Sequence, residues 1–205
     1  MVSYGIYYAL GLGAGAAVVT WLLGWPFAIP FYILAAFCLY FFRDPDRDIP
    51  PGGVAVSPAD GKVVWIHPQD AGGSRISIFL NVFNVHVNRT PIAGKIADIT
   101  YKTGEFLVAS KPAASHANEQ NVITVDGIID GTPTRVVFAQ IAGLIARRII
   151  CYKKNGDQLQ AGERIGLIKF GSRVDVFLGP EWEIAVKEGD HVAAGASILA
   201  KFKGR

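Results

Sequence analysis

The segment LQAGERIGLIKFGSRVDVFLG, residues 159–179, decides the fold of this chain. Its apolar and β-branched residues form two short runs on either side of Lys169–Gly171. Short runs of this composition that are bounded by glycine predict β-strands rather than helices. Similar runs lie between glycine, proline, asparagine and aspartate residues at 54–66, 75–87, 95–102, 121–127, 134–143 and 147–154. We therefore predict a mainly β domain, either a β-sandwich or a partly closed barrel.

An internal repeat strengthens this prediction. Residues 159–171 and 186–202 both contain a glycine, an acidic residue, a variable residue and Val or Ile, and an apolar run follows. Glycine gives such a turn its backbone freedom, and the acidic side chain can hydrogen bond back to the backbone. The pattern resembles the hammerhead strands of lipoyl and biotinyl domains. The Asp-Lys or Met-Lys-Met sequence that carries their modified lysine does not occur here, so the resemblance concerns the strand and turn pattern alone.

The first 42 residues predict an α-helical membrane anchor. They contain no charged residue, and all 20 Lys and Arg and all 17 Asp and Glu residues follow them. The run Tyr4–Leu23 is long enough to cross a bilayer as a helix, whereas Phe27–Phe42 is short for a full span and contains Pro30. The anchor, residues 1–42, is either a helical hairpin or one span plus a re-entrant segment.

We favour the hairpin, which leaves both ends of the anchor in the cytoplasm. The polar, proline-rich segment 43–53 then begins the β domain, which we place at residues 43–205. These expectations put the protein in the cytoplasmic membrane, with its β domain facing the cytoplasm.

Charge and cysteine content exclude several other classes. The net charge is only +3 and no cluster of Lys and Arg occurs, so we expect no nucleic-acid partner. The two cysteines, Cys38 and Cys151, neither form a disulfide framework nor show zinc-ligand spacing. We expect no metal site.

Four short motifs carry the functional information. Each is ordinary by itself: an Asp in a turn, a His in an apolar run, a polar loop and a Gly-Ser pair. They are SPADGKV at 57–63, FNVHVNRTP at 83–91, SHANEQN at 115–121 and KFGSRVDVFLG at 169–179. With FFRDPDR at 41–47 and AGLIARRI at 142–149, in this order, the set is similar to the phosphatidylserine decarboxylase family in its short, single-domain form.

This resemblance implies a proenzyme that cleaves its own Gly171–Ser172 bond. The products would be a β chain, residues 1–171, and an α chain, residues 172–205, whose Ser172 becomes a covalent pyruvoyl group. His86 is the expected base that activates the Ser172 hydroxyl, and Asp60 is expected to orient the imidazole, as in a serine-protease triad.

The same resemblance implies the reaction of the processed enzyme. The pyruvoyl group would form a Schiff base with phosphatidylserine or a related serine phospholipid and give the ethanolamine lipid, without a diffusible cofactor. The family commonly has His-x-x-His where this chain has Arg89 as the last residue of the motif. Either His86 therefore serves both cleavage and decarboxylation, or His116 contributes. Arg89 either binds a substrate anion or forms a structural salt bridge. A homodimer is possible.

Two alternatives from other classes remain. A membrane-anchored carrier or adaptor module without catalysis would explain the anchor and the internal repeat, but not the four motifs together. A zinc peptidase would need metal-ligand spacing that the sequence lacks.

Overall fold

The computed structural model describes residues 2–70, 72–109, 111–144, 148–169 and 171–203. The chain divides into two compact units, residues 1–46 and residues 47–205. The first unit is helical and the second is mainly β.

The first unit is a pair of apolar helices, α1 (Ser3–Leu23) and α2 (Trp25–Phe41). They join at Gly24, whose φ of +95° suits a residue without a Cβ. The backbone N–H of Val2 donates to the carbonyl of Phe42 at 3.0 Å, which brings the two ends of the pair together as a hairpin. Within the part of the chain that the structure describes, α1 alone is long and apolar enough to cross a membrane. The division into a membrane anchor and a catalytic domain stays a prediction.

The second unit consists of short strands and one short helix, α3. The strands are β1 (Val54–Val56), β2 (Gly61–Pro68), β3 (Ser74–Leu80), β4 (Val87–Arg89), β5 (Gly94–Lys102), β6 (Gln120–Ile129), β7 (Thr132–Ile141), β8 (Ile149–Cys151), β9 (Gln158–Leu159), β10 (Arg164–Ile168), β11 (Ser172–Leu178), β12 (Trp182–Ile184), β13 (His191–Val192) and β14 (Ile198–Phe202). The helix α3 is Ala114–Ala117.

Antiparallel pairing organises these strands into three sheets. The largest sheet has the order β13-β2-β3-β11-β7-β6-β5-β9 and curls into a half-barrel. Two smaller sheets have the orders β1-β14-β12 and β4-β10-β8. The predicted mainly β, barrel-like fold is confirmed.

The two faces of β11 differ in chemistry. Val174 and Val176 belong to the hydrophobic core, whereas Arg173 and Asp175 lie on the opposite face because side chains alternate along a strand. Ser172, the first residue of the strand, shares the core face with the valines.

Side-chain hydrogen bonds interrupt one of the apolar runs of the β domain. The run at 75–87 splits into β3 and β4 because the backbone N–H of Asn81 donates to Asn84 Oδ1 at 2.9 Å, and that of Phe83 donates to Asn81 Oδ1 at 2.8 Å. Asparagine turns of this kind compete with strand pairing.

The run at 54–66 is also interrupted, at Ser57–Asp60. Both halves of the internal repeat form a strand, a turn and a strand, namely β9 to β10 and β13 to β14. Arg147, the first residue of the predicted strand at 147–154, lies outside the described residues.

Replacement of Phe138 by Ala should destabilise the β domain. Phe138 is fully buried on β7, opposite Ile123 and Val176, and its truncation leaves a cavity. We expect the free energy of unfolding to fall by about 3–5 kcal/mol, as measured by denaturant unfolding of the detergent-solubilised chain. Ile128→Ala, at a side chain that is 75% exposed on β6, is the control and should change it little. Equal effects of the two substitutions would contradict this account of the core.

Candidate active site

The Gly171–Ser172 bond lies at the start of the central strand β11. Ser172 is fully buried, and its Oγ has no hydrogen-bond partner among the described residues. Gly171 has a φ of +55°, in the left-handed region that glycine adopts most easily. A serine hydroxyl that no hydrogen bond holds in another direction is suited to attack the neighbouring carbonyl.

The carbonyl of Gly171 is pressed against Gly143. A Cβ atom built on Gly143 would lie 2.1 Å from the Gly171 oxygen and 3.2 Å from Ala109 Cβ. Only glycine fits at this position, because the nearest atom belongs to backbone that cannot move aside cheaply. Gly143 therefore helps to set the position of the Gly171 carbonyl. The motif AGLIARRI by itself does not indicate a role for Gly143.

Two pairing points hold His86 near this bond. Ser172 is paired with Leu80 at the end of β3. Six residues further along the chain, the His86 carbonyl accepts a hydrogen bond from the Ile168 N–H at 3.3 Å. These two contacts place Leu80 opposite Ser172 and the backbone of His86 beside Ile168, four residues before Ser172.

The imidazole of His86 is buried and oriented by backbone. Its Nδ1 lies 3.0 Å from the carbonyl oxygen of Asn84. A carbonyl can only accept, so this hydrogen bond places the proton on Nδ1 and the basic lone pair on Nε2.

The Asp60 carboxylate has other partners than His86. Arg47 Nη2 lies 3.0 and 2.9 Å from its two oxygens, and the Ala194 N–H donates to Oδ1 at 2.8 Å. The predicted hydrogen bond from His86 to Asp60 is not among those of the described residues. The two residues are nevertheless on adjacent segments, because the Arg89 N–H donates to the Pro58 carbonyl at 2.9 Å. The role of Asp60 in orienting His86 stays a prediction.

Arg89 and His116, the two residues predicted to bind substrate, lie in different places. Arg89 is buried, and its Nη1 donates to the carbonyl of Gly162 at 3.0 Å. His116 is exposed on α3 and lines a pocket of about 540 Å³ with Arg75 and Lys102. Phe177 also lines this pocket, which therefore opens on the face of β11 opposite Ser172.

A buried ion pair directly follows the Gly-Ser bond. Arg173 is fully buried and its Nε lies 3.0 Å from Asp175 Oδ1. Its guanidinium also donates to the carbonyls of Ala109 and Lys111, at 3.1 and 3.0 Å, and to the Ser115 hydroxyl. Burial lowers the pKa of Arg173, and the Asp175 carboxylate opposes this shift. Through these contacts Arg173 joins Ala109, Lys111 and Ser115 to the start of β11.

Three buried side-chain amides, linked by hydrogen bonds into an amide chain, lie on the face of β11 opposite the Arg173–Asp175 ion pair. Asn121 Nδ2 donates to Gln140 Oε1 at 3.0 Å, and Gln140 Nε2 donates to Asn88 Oδ1 at 2.9 Å. Gln140 is paired with Val174, so the amide chain shares the core face with Ser172. The sequence motifs that contain these three residues do not by themselves indicate a function for them.

Within the described ranges, no three His, Cys, Asp or Glu side chains are grouped so that they could hold a metal ion. The expected absence of a metal stays a prediction.

The site is built around a peptide bond of the chain itself. A buried serine follows a glycine, whose carbonyl touches a second glycine. A histidine with its basic nitrogen defined lies on the segment whose backbone contacts Ile168. This arrangement is expected of a self-processing precursor.

Comparison with known proteins gives the family. The family profile described as phosphatidylserine decarboxylase matches residues 34–200. A protein of Solibacter usitatus (strain Ellin6076) is 65% identical over 201 residues, which cover 98% of this chain and 96% of the relative. Relatives from Magnetococcus marinus, 42% identical over 97% of this chain and 94% of their own, and Nitratidesulfovibrio vulgaris, 46% identical over 94% and 91%, are similar as well. All three are named phosphatidylserine decarboxylase proenzyme.

The chain belongs to the phosphatidylserine decarboxylase family. The family predicted from the motifs is thereby confirmed, and so is the predicted enzyme class, a decarboxylase of phosphatidylserine, over the carrier or adaptor module.

Replacement of Gly143 by Ala should impair cleavage of the precursor. The added Cβ would displace the Gly171 carbonyl from the position in which Ser172 can attack it, and such a misplacement commonly costs a large factor in rate. We expect processing, followed on a denaturing gel during synthesis, to slow at least about tenfold.

The matched control is Gly13→Ala in α1, where a Cβ meets nothing within 4 Å. It should leave processing unchanged. A Gly143→Ala precursor that is cleaved at the rate of the unsubstituted chain would refute the role of this contact.

Proposed function

We propose that this chain is a proenzyme that cleaves its own Gly171–Ser172 bond, and that the processed form decarboxylates phosphatidylserine to phosphatidylethanolamine. The names of its relatives support the reaction. The single observation that supports the site is the buried Ser172 hydroxyl, which has no partner among the described residues and directly follows a glycine in the left-handed conformation.

Cleavage begins with attack of Ser172 Oγ on the carbonyl carbon of Gly171. The hydroxyl proton passes to His86 and from there to the nitrogen of residue 172 as the C–N bond breaks, and an ester joins Gly171 to the Ser172 side chain. Loss of the Cα proton of residue 172 then expels the ester oxygen, which leaves with Gly171 as a carboxylate. Hydrolysis of the remaining enamine releases ammonia and leaves a ketone at the new N-terminus.

His86 is the base in this proposal. The Asn84 carbonyl fixes its Nδ1 proton and leaves the Nε2 lone pair to accept the proton of Ser172. Asp60 supports His86 through the loop that docks on β4, where the Pro58 carbonyl accepts from Arg89.

The residues present fit the prosthetic group that this family implies. Ser172 supplies its atoms, and the fully buried position would keep water from them. When formed, a pyruvoyl group supplies an electron sink for the electrons that remain when the substrate carboxylate departs as CO2. We assign to His86 the return of a proton to the substrate carbon.

Arg89 and His116, the two residues predicted to bind substrate, differ in their surroundings. The buried Arg89 donates to the Gly162 backbone carbonyl, which is a structural contact but not the predicted salt bridge, so both alternatives for Arg89 stay predictions. His116 lies in a pocket with two cations, which suits an anionic group, but this pocket is on the other face of the sheet. We propose that His86 serves both cleavage and decarboxylation.

The apolar helices suit an enzyme whose substrate is a membrane lipid. We propose that residues 1–42 form a hairpin anchor and that the catalytic domain, residues 43–205, faces the cytoplasm. The length and composition of α1 support the anchor.

Two substitutions test the assignment of the nucleophile and the base. Ser172→Ala should abolish both cleavage and release of labelled CO2 from phosphatidylserine, because the attacking oxygen is lost. His86→Ala should slow cleavage by about 100-fold or more, the usual range for loss of a general base. Both are measured on a gel and by trapping CO2, with His191→Ala, at an exposed position on β13, as the control.

Retained CO2 release by the Ser172→Ala protein would refute the assignment. Normal cleavage of the His86→Ala precursor without decarboxylation would restrict His86 to the second reaction and point to His116 as the base of the first.

A further inference from the structure

In the amide chain Asn121–Gln140–Asn88, both hydrogen bonds run in the same donor-to-acceptor direction, towards Asn88. Asn88 and Gln140 are fully buried and Asn121 is 2% exposed. Each amide in turn donates to the oxygen of the next one. The Asn88 oxygen therefore faces Gln140, and its NH₂ group is directed elsewhere.

This NH₂ group is a buried donor that the protein does not use. Asn88 Nδ2 has no hydrogen-bond partner among the described residues, and the same holds for Ser172 Oγ. Buried donors are nearly always satisfied, so a donor without an acceptor in a well-packed site needs an explanation. A ligand that brings an acceptor would provide it.

The donor and the nucleophile share one face of the domain. Gln140 lies opposite Val174 on β11, and Ser172 is the next residue of β11 on the same face. Diagonal neighbours of this kind are within reach of a long side chain. Asn88, bonded to Gln140, also follows His86 by two residues on the strand that pairs with β10. Asn88 therefore belongs to the surroundings of residue 172.

We propose that the Asn88 side-chain N–H binds the carboxylate of the serine headgroup during decarboxylation. This proposal rests on the proposed function. The amine of the substrate must reach residue 172, and the carboxylate is attached to the same carbon as that amine. The phosphate is several bonds further away. A donor close to residue 172 therefore meets the carboxylate first.

A neutral amide suits this task better than a cation. The carboxylate loses its charge on the way to CO2, so a guanidinium or ammonium group would stabilise the ground state more than the transition state and would slow the reaction. Arg173, the residue after Ser172, is a buried cation, but it lies on the opposite face of β11 and is bound to Asp175. Asn88 would orient the carboxylate at little electrostatic cost. The product lacks this carboxylate, so Asn88 would also favour substrate over product.

The Asn88→Asp substitution tests the proposal, because it keeps the shape and replaces the donor by an acceptor. We expect the precursor to be cleaved normally, the KM for phosphatidylserine in detergent micelles to rise at least tenfold, and inhibition by phosphatidylethanolamine to stay unchanged. If Asn88 had only a structural role, the substitution would weaken the binding of phosphatidylserine and phosphatidylethanolamine together. Asn155→Asp makes the same chemical change at an exposed turn and should alter neither value.

An unchanged KM, or equal weakening of both lipids, overturns the proposal. If the Asn88→Asp precursor is not cleaved, the same measurements are made on Asn88→Ser, which is smaller and uncharged. A raised KM with unchanged inhibition by phosphatidylethanolamine then supports the proposal, and failure of both precursors to be cleaved overturns it. If the unsubstituted chain itself releases no CO2 from phosphatidylserine, the proposed function fails instead, so the two failures are distinguishable.

Discussion

The pairing of β11 between β3 and β7 is the constraint on which the rest of the site depends. It fixes Ser172 opposite Leu80 and directs its side chain into the core. It also brings the Gly171 carbonyl against Gly143, where there is no room for a Cβ atom. A bond in a flexible loop would sample many arrangements, whereas a bond at the beginning of a central strand is held in one. In the proposed function, this restriction would allow a weak nucleophile to attack a stable amide.

The same strand explains how the two proposed chains could stay together after cleavage. The segment 172–205 contains β11 in the large sheet, β13 at its edge, and β12 and β14 in the sheet with β1. These backbone hydrogen bonds do not involve the Gly171–Ser172 bond and would survive its cleavage. Arg173 adds contacts to the carbonyls of Ala109 and Lys111 next to the new N-terminus. These contacts would hold the two segments together after a break at this one position.

Strand composition was sufficient to predict the mainly β fold, because short β-branched runs between turn residues are a local property. The Gly-Ser bond could be found only from several motifs together, since the dipeptide by itself is common. Long-range partners were beyond the sequence. Nothing local indicates that Asp60 binds Arg47 and Ala194, or that three amides from β4, β6 and β7 form one chain that ends at Asn88. Such contacts depend on which strands the fold places side by side.

The mass of the purified protein tests the central claim most directly. If the chain cleaves itself at the named bond, intact-mass measurement will give two fragments, residues 1–171 and residues 172–205, and the smaller one will resist Edman degradation because its N-terminus is no longer an amine. A single uncleaved chain of 22.1 kDa that still decarboxylates phosphatidylserine would contradict the account.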